Sequence, residues 1–485
     1  MRGLLAACVG ALVIGSAAPL PAGSGAGLAA PSGSAQSAQP GVAGSSSPTP
    51  ARTASVAWFP PGPLETPTAR PTAPTPLLLS QSRVNSGTEP TLSVDPFDPS
   101  VVAVIAQEID WTRICSRPDV SISRDGGLTW SVAALPFGST CGDIHAVIAW
   151  GMGSTPGSAR LYAADAVPVD GGLALAIVHS DDFGASWSSR YVQGFTTPWV
   201  GCFPVLAVDN SPASPNYGTV YAAYNYLAGP NTVSMSVLAS KDGKNWVQTA
   251  VRAVGLAGYA FTWAFGERLA IAADGSIYIS FYESDMHALD KTHLFIQNTQ
   301  GNIGRAGFVT ARVYFTNGEL TSAPAKWAIG VVPSDRAAWN PEDESALVVG
   351  TDGDLWLAVS DRPAAGGRIR VGSSDDGGTN WYWTTETVPD ENSFRASLAV
   401  WQGKVFLAWH TQDARAHVRT YYTLSYDNGV TYLPPTAMPG SYFYLPNQFN
   451  DTGLRENAEF MSGLAYYTWG DARSGVAVYM AVIRP

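Results

Sequence analysis

The sequence Ser121-Ile-Ser123-Arg-Asp125-Gly-Gly127-Leu-Thr129-Trp130 comes back along the chain. Ser180-Asp-Asp182-Phe-Gly184-Ala-Ser186-Trp187, Ser374-Asp-Asp376-Gly-Gly378-Thr-Asn-Trp381 and Ser425-Tyr-Asp427-Asn-Gly429-Val-Thr431-Tyr432 keep its spacing. Ser240-Lys-Asp242-Gly-Lys-Asn-Trp246 is one residue short. The recurring serines stand at 123, 180, 240, 374 and 425, in steps of 57, 60, 134 and 51. The long step is twice 67 and marks a degenerate copy near residue 300. Repetition at this period in a β-rich chain points to a radial array of sheets, a propeller.

Each copy follows an alternating run such as Asp119-Val-Ser-Ile-Ser123, which is strand periodicity. Ser and Asp side chains accept backbone N–H bonds one or two residues on and hold a tight turn. Glycine serves where the turn forces φ positive, and the closing Trp starts the next strand and buries a large apolar area. The repeat therefore reads as a stapled hairpin corner, scaffold rather than site.

Paired apolar runs mark the first two strands of each blade, as in Leu347-Val-Val-Gly-Thr-Asp-Gly-Asp-Leu-Trp-Leu-Ala358 and Leu398-Ala-Val-Trp-Gln-Gly-Lys-Val-Phe-Leu-Ala408. Blades are expected to begin near residues 88, 143, 200, 266, 343, 394 and 457. The last supplies three strands of its own, and the segment around Leu77 to Asn85 is expected to add its outer strand and close the ring. The expectation is an all-β propeller of seven four-stranded blades, with six and one irregular insertion as the alternative. No helical stretch of any length is expected.

Leu4 to Ala18 is apolar and uncharged, too short to span a bilayer comfortably, and reads as a signal-peptide core within residues 1–22. Residues 23–80 are rich in Ala, Ser and Pro and read as a disordered linker, leaving 81–485 for the propeller. No other segment is long and apolar enough to cross a membrane. A net charge of −11 argues against a nucleic-acid partner. With Cys8 lost to the signal, Cys115, Cys141 and Cys202 allow one disulfide, and Cys115–Cys141 is the pairing expected. The His and Cys residues have no zinc spacing, and neither a P-loop nor G-x-S-x-G occurs, so no metal or cofactor is expected.

The pattern S-x-D-x-G-x-T-W resembles the Asp-box, or BNR, repeat of sialidases and related propellers, and the resemblance covers about residues 82–485. It implies that the corners lie on the face away from the active site. A sialidase needs an arginine cluster for the sugar carboxylate, a tyrosine nucleophile with a glutamate partner, and an aspartic acid at the leaving group. Asp343-Glu344 to Asp361-Arg362 resembles the family's blade with a glutamate at the start and an arginine at the end. By that likeness Glu344 is the base partner and Arg362 a cluster arginine. Arg415 is a second cluster arginine, with Arg419 as understudy, and Asp110 takes the acid/base place.

Two departures stand against it. Thr88-Glu89-Pro90-Thr-Leu92 lacks the family's first arginine, and Phe460 stands where the tyrosine should open the last blade. Tyr282 beside Glu283, or Tyr466, are the substitutes. The recurring pairs Asp361-Arg362, Asp413-Ala-Arg415 and Asp471-Ala-Arg473 also read as braces of equivalent loops. The resemblance thus implies a secreted propeller engaging extracellular carbohydrate, as a glycoside hydrolase of exo-sialidase type. The other reading is a non-catalytic propeller that binds a glycan or a cell-surface protein; under either, the protein is expected to be a monomer.

Overall fold

Strands buried on both faces read as unbroken apolar runs, whereas strands with one wet face alternate. Leu355–Asp361 is buried at every position, while the outer strand Thr436–Tyr444 sets exposed Tyr442 and Tyr444 on either side of buried Phe443. Both patterns belong to sheets packed face to face, with only their outer edges in water. The computed structural model describes residues 76–110, 115–137, 140–141, 146–153, 155, 157–169, 172–189, 191–193, 204–229, 232–255, 261–286, 303–330, 345–361, 367–386, 392–444, 456–471 and 477–485.

The described strands form seven antiparallel four-stranded blades, here numbered 1 to 7 with strands A to D from the axis outward. The A strands begin at Thr88, Val147, Val205, Phe261, Ser345, Asn392 and Asn457, within five residues of the positions expected. Seven blades replace the six-blade alternative. Blades 3 and 4 are additionally joined by one parallel bridge, Thr232 to Thr262. No helix occurs among the described residues.

Blade 4 is the degenerate copy. Its C strand, Ile303–Thr316, turns through Asn317 and Gly318, with φ of 54° and 83°, into Glu319–Ser322. An Asn-Gly hairpin, which needs positive φ at both positions, has replaced the serine–aspartate corner.

The ring closes where expected. Leu77–Asn85 pairs antiparallel with Ala477–Arg484 as the D strand of blade 7. Ser82 Oγ donates to Gly127 O at 2.6 Å and accepts from Trp130 Nε1 at 3.1 Å, tying this strand to the corner of blade 1. At the axis, Asn457 of blade 7 bridges the backbone of Leu92 in blade 1, accepting its N–H at 2.6 Å and donating to its carbonyl at 2.9 Å. Thr140–Cys141 pairs with the C strand of blade 1 and sets Cys141 directly opposite Cys115. Directly opposed partners lie about 4.5–5.5 Å apart at Cα, inside the roughly 4.4–6.8 Å that a disulfide takes. Cys202 lies outside the described residues.

The corners are built alike. Ser123 Oγ donates to Asp125 Oδ1 at 2.7 Å and accepts Gly127 N–H at 2.7 Å; Asp125 Oδ1 accepts Thr129 N–H at 2.9 Å. The same bonds recur at Ser180/Asp182, Ser374/Asp376 and Ser425/Asp427, and in shortened form at Ser240/Asp242. Glycine is required twice over. Gly429 has φ of 73°, and a Cβ there would stand 2.5 Å from the Trp356 ring of the preceding blade. Each corner is thus a lid pressed on its neighbour.

Acid should loosen these corners. The carboxyls of Asp125, Asp182 and Asp376 sit at about 2, below the ordinary 3.8. The largest causes are the Thr129 hydroxyl, the Ser186 hydroxyl and the Asn380 backbone N–H respectively. Groups depressed in the fold stabilise it above their unfolded value and lose that contribution as pH falls through the folded one. The thermal midpoint is therefore expected to drop between about pH 4 and pH 2, and the triple Asp→Asn variant to show a flatter profile. An unchanged profile in the variant places the acid sensitivity elsewhere.

Candidate functional site

Antiparallel connectivity puts the serine–aspartate corners and the A–B hairpins on one face. The B–C and D–A connections lie on the opposite face, where a rigid frame can present loops. Glu344 and Arg362 lie outside the described residues. Asp110 ends the B strand of blade 1, paired with Cys115 across the B–C connection. Arg415 stands exposed in the turn between the B and C strands of blade 6, Lys404–Gln412 and His417–Ser425. Of the four site residues expected, Arg415 is the one whose side chain is described.

The substitutes for a catalytic tyrosine are core residues. Tyr282 is buried against Phe308, with ring centroids 5.6 Å apart, and Glu283 accepts the N–H groups of Val254 and Gly255 at 2.7 and 2.9 Å. Tyr466 is buried and donates to the Pro99 carbonyl at 2.9 Å. Two of the recurring loop aspartates, Asp361 and Asp413, do brace; Arg362 and Arg473, beside Asp361 and Asp471 in sequence, lie outside the described residues. Asp361 takes Arg368 Nη2 at 2.8 Å from the facing strand, with Arg370 at 3.6 Å. Asp413 accepts the backbone N–H groups of Arg415 and His417 at 2.8 and 3.0 Å. That leaves the Arg415 guanidinium without a hydrogen-bond partner among the described residues.

A group that sequence reasoning missed occupies the seam between blades 6 and 7. His410 is buried two residues before the end of its B strand, Lys404–Gln412, and Glu456 stands immediately before the A strand Asn457–Met461. His410 Nε2 lies 2.6 Å from Glu456 Oε1, which also accepts Gly470 N–H at 3.2 Å; Tyr467 OH donates to Oε2 at 2.8 Å. Thr420 Oγ1 is 3.1 Å from His410 Nδ1. Burial, with Glu456 alongside, holds the Tyr467 phenol far above its ordinary range. The carboxylate can only accept, so Nε2 carries the proton toward it. Arg395, buried and at a φ of 54°, adds positive charge near Tyr467.

The signal for this group was a buried polar residue toward the end of every B strand. Gln107, Asp165, Asn225, Glu283, Asp361, His410 and Asp471 all have it.

Glu456 and Arg268 line an axial cavity of about 160 Å³ with Pro90, Val147, Leu206 and Leu398. Ligand pockets usually start near 300 Å³, so this hollow suits water rather than a sugar. Both Glu456 oxygens are engaged, Oε1 with His410 and Gly470 N–H and Oε2 with Tyr467 OH, so this carboxylate is held by the seam. Further along the axis, a second hollow of about 400 Å³ is lined by Thr91, Ser93, Asn210 and Glu459. Burial raises the Glu459 carboxyl to about 7, although it accepts Val94 N–H at 2.9 Å. Among the described residues, no group of three His, Cys, Asp or Glu side chains could hold a metal ion.

No family model and no curated protein sequence matches the chain. It does resemble solved structures. A polysaccharide lyase of family PL25, an ulvan lyase bound to -[GlcA(1-4)Rha3S]-, superposes with a TM-score of 0.51 at 11% identity, covering 83% of this chain and 95% of that one. A second structure of a PL25 ulvan lyase gives a TM-score of 0.50 at 11% identity, with the same coverage. The GH93 α-L-arabinofuranosidase of Fusarium graminearum gives 0.43 at 13% identity, covering 69% and 93%. At such identities the likeness to the two lyases shows a shared propeller fold.

Proposed function

We propose that this chain is an extracellular propeller that engages carbohydrate through the face carrying the B–C and D–A connections, as a binding module rather than a hydrolase. The ligand class is read from the surface, since the structural likeness carries the fold alone. The observation that supports the reading is how the charged groups of this face are used. Glu283, Asp361, Asp413 and Glu456 are all engaged in bracing, while Arg415 stands exposed beside the exposed aromatic residues Tyr442 and Tyr444. Opposition of Cys115 and Cys141 suits an oxidising compartment.

The hydrolytic reading is an exo-sialidase in which Glu344 and Asp110 do the chemistry and Arg362 and Arg415 hold the sugar. A fluorogenic sialoside separates the two. Retention on a glycan array with no release of the fluorophore is the expected result. Release that falls by about 100-fold or more in Glu344→Gln would establish the hydrolase instead.

A further inference from the structure

Blade 6 carries a second kind of surface at its outer rim. Its C and D strands, His417–Ser425 and Thr436–Tyr444, place Arg419 opposite Tyr442 and His417 opposite Tyr444. The four side chains share one face of the sheet. The His417 and Tyr442 rings are nearly parallel, 4.8 Å apart with an interplanar angle of 14°. The Arg419 guanidinium lies 4.8 Å from the Tyr442 centroid, and Tyr444 leans on His417 at 5.5 Å and 58°. Below them Arg419 Nη1 reaches Tyr421 OH at 3.3 Å, and Tyr421 stacks on fully buried Trp409 at 6.2 Å. The column is thus rooted in the core between blades 5 and 6 and surfaces at its free end.

That free end is exposed. Tyr442 is 48% and Tyr444 60% accessible. Apolar side chains scattered singly over a surface need no explanation, but two adjacent tyrosines fixed against a histidine and an arginine form a pre-set platform. Fixing the rings beforehand removes part of the ordering cost of binding. The rim also holds the polar groups that recognise a sugar. Asp413 Oδ2 accepts Tyr442 OH at 3.3 Å and lies 3.6 Å from His417 Nδ1. Arg415 projects from the same turn, close enough to act electrostatically on Tyr442.

We infer that this rim is a binding subsite for an oligosaccharide unit carrying a carboxylate. Tyr444 and the Tyr442 edge pack on the pyranose, Arg415 pairs with the carboxylate, and Tyr442 OH, whose proton goes to Asp413, accepts from a ring hydroxyl. The charge argument favours an acidic sugar over a neutral one. On a chain of net charge −11, Arg415 of this turn and Arg419 of the adjoining C strand stand with Asp413, the one carboxylate that the described rim residues contribute. Such a local excess of positive charge selects among ligands that stack equally well. The subsite lies at the outer edge of the ring, away from the axial cavity. It rests on the reading that the chain engages carbohydrate, and it names where and which kind.

The test is calorimetric titration of the full chain with tetragalacturonate and with its carboxyl-reduced, neutral counterpart. Arg415 and Tyr444 are both exposed, so Arg415→Gln and Tyr444→Ala are expected to keep the fold, which circular dichroism checks. The expected result is at least about 10-fold weaker binding of the acidic tetrasaccharide by Arg415→Gln, with the neutral one unaffected. Tyr444→Ala should weaken both. The subsite is refuted if glycan binding persists but neither variant changes it, which leaves the broader carbohydrate reading standing. It is equally refuted if polyglutamate of matched charge displaces the sugar completely, because the rim then reads charge and not pyranose. Failure of the unsubstituted chain to bind any glycan on the array overturns both readings together.

Discussion

Replacing Glu456 by alanine is expected to destabilise the protein by about 3–5 kcal/mol, the cost of removing one partner from a buried hydrogen-bonded ionic group. The loss leaves three donors without an acceptor: His410 Nε2, Tyr467 OH and Gly470 N–H. His410 and Tyr467 are fully buried, so water cannot replace the carboxylate without opening the seam between blades 6 and 7. Glu456→Gln should cost less, because the amide still accepts from two of the three. Denaturant unfolding of both variants measures the difference. Equal and small losses below about 1 kcal/mol would show that the seam does not depend on this group.

A gain is expected one turn of the pleat away. Glu459→Gln should stabilise the fold above pH 7 and leave it unchanged in acid. The Glu459 carboxyl is raised from 4.5 to about 7, so the folded state holds its proton more tightly than the unfolded chain does. Its contribution is most favourable below 4.5 and is lost as pH rises through about 7. The full displacement corresponds to at most about 3 kcal/mol, and because Glu459 is only half-buried, solvent screening leaves about 1–2 kcal/mol. The glutamine keeps an acceptor for Val94 N–H. Stability curves of the two proteins should therefore converge near pH 4.5 and separate above it. Parallel curves would mean that Glu459 titrates normally.

The two pH effects run in opposite directions for one physical reason. The corner aspartates lie at the surface among several donors, which favour the charged form, whereas Glu459 is half-buried on the axis with a single donor, so its desolvation outweighs that one bond. Both types of carboxylate sit in similar strand-and-turn sequence. Only the packing around them tells which way each is pushed.

Much of the architecture was legible before any coordinates. Spacing of the serine–aspartate corners pointed to a propeller, and the paired apolar runs placed the blade starts within five residues, with six blades still open as the alternative. The closing strand Leu77–Asn85 could be read because blade 7 has three strands of its own and a ring leaves no edge. Opposition of Cys115 and Cys141 was legible because both belong to one blade, 26 positions apart across a single C–D hairpin.

The site was less legible. Asp413 was read with the Arg415 side chain, yet it bonds the backbone N–H groups of Arg415 and His417; Asp361 bonds Arg368, and Arg362 lies outside the described residues. Sequence neighbours on a strand point to opposite sides, so the partner of a strand-end carboxylate comes from the facing strand. The Glu456–His410–Tyr467 group joins residues from two blades and three separate segments, a pairing that no local pattern encodes.

The sequence by itself determined the periodicity: where strands start, where the chain turns, and that the sheets form a ring, all of which depend on residues near one another in the chain. Tertiary structure alone decided which polar groups are used up and which remain available. That depends on what each blade meets when it packs against the next, as in the capture of Glu456 by blades 6 and 7 and the exposure of Tyr442, Tyr444 and Arg415 at the rim.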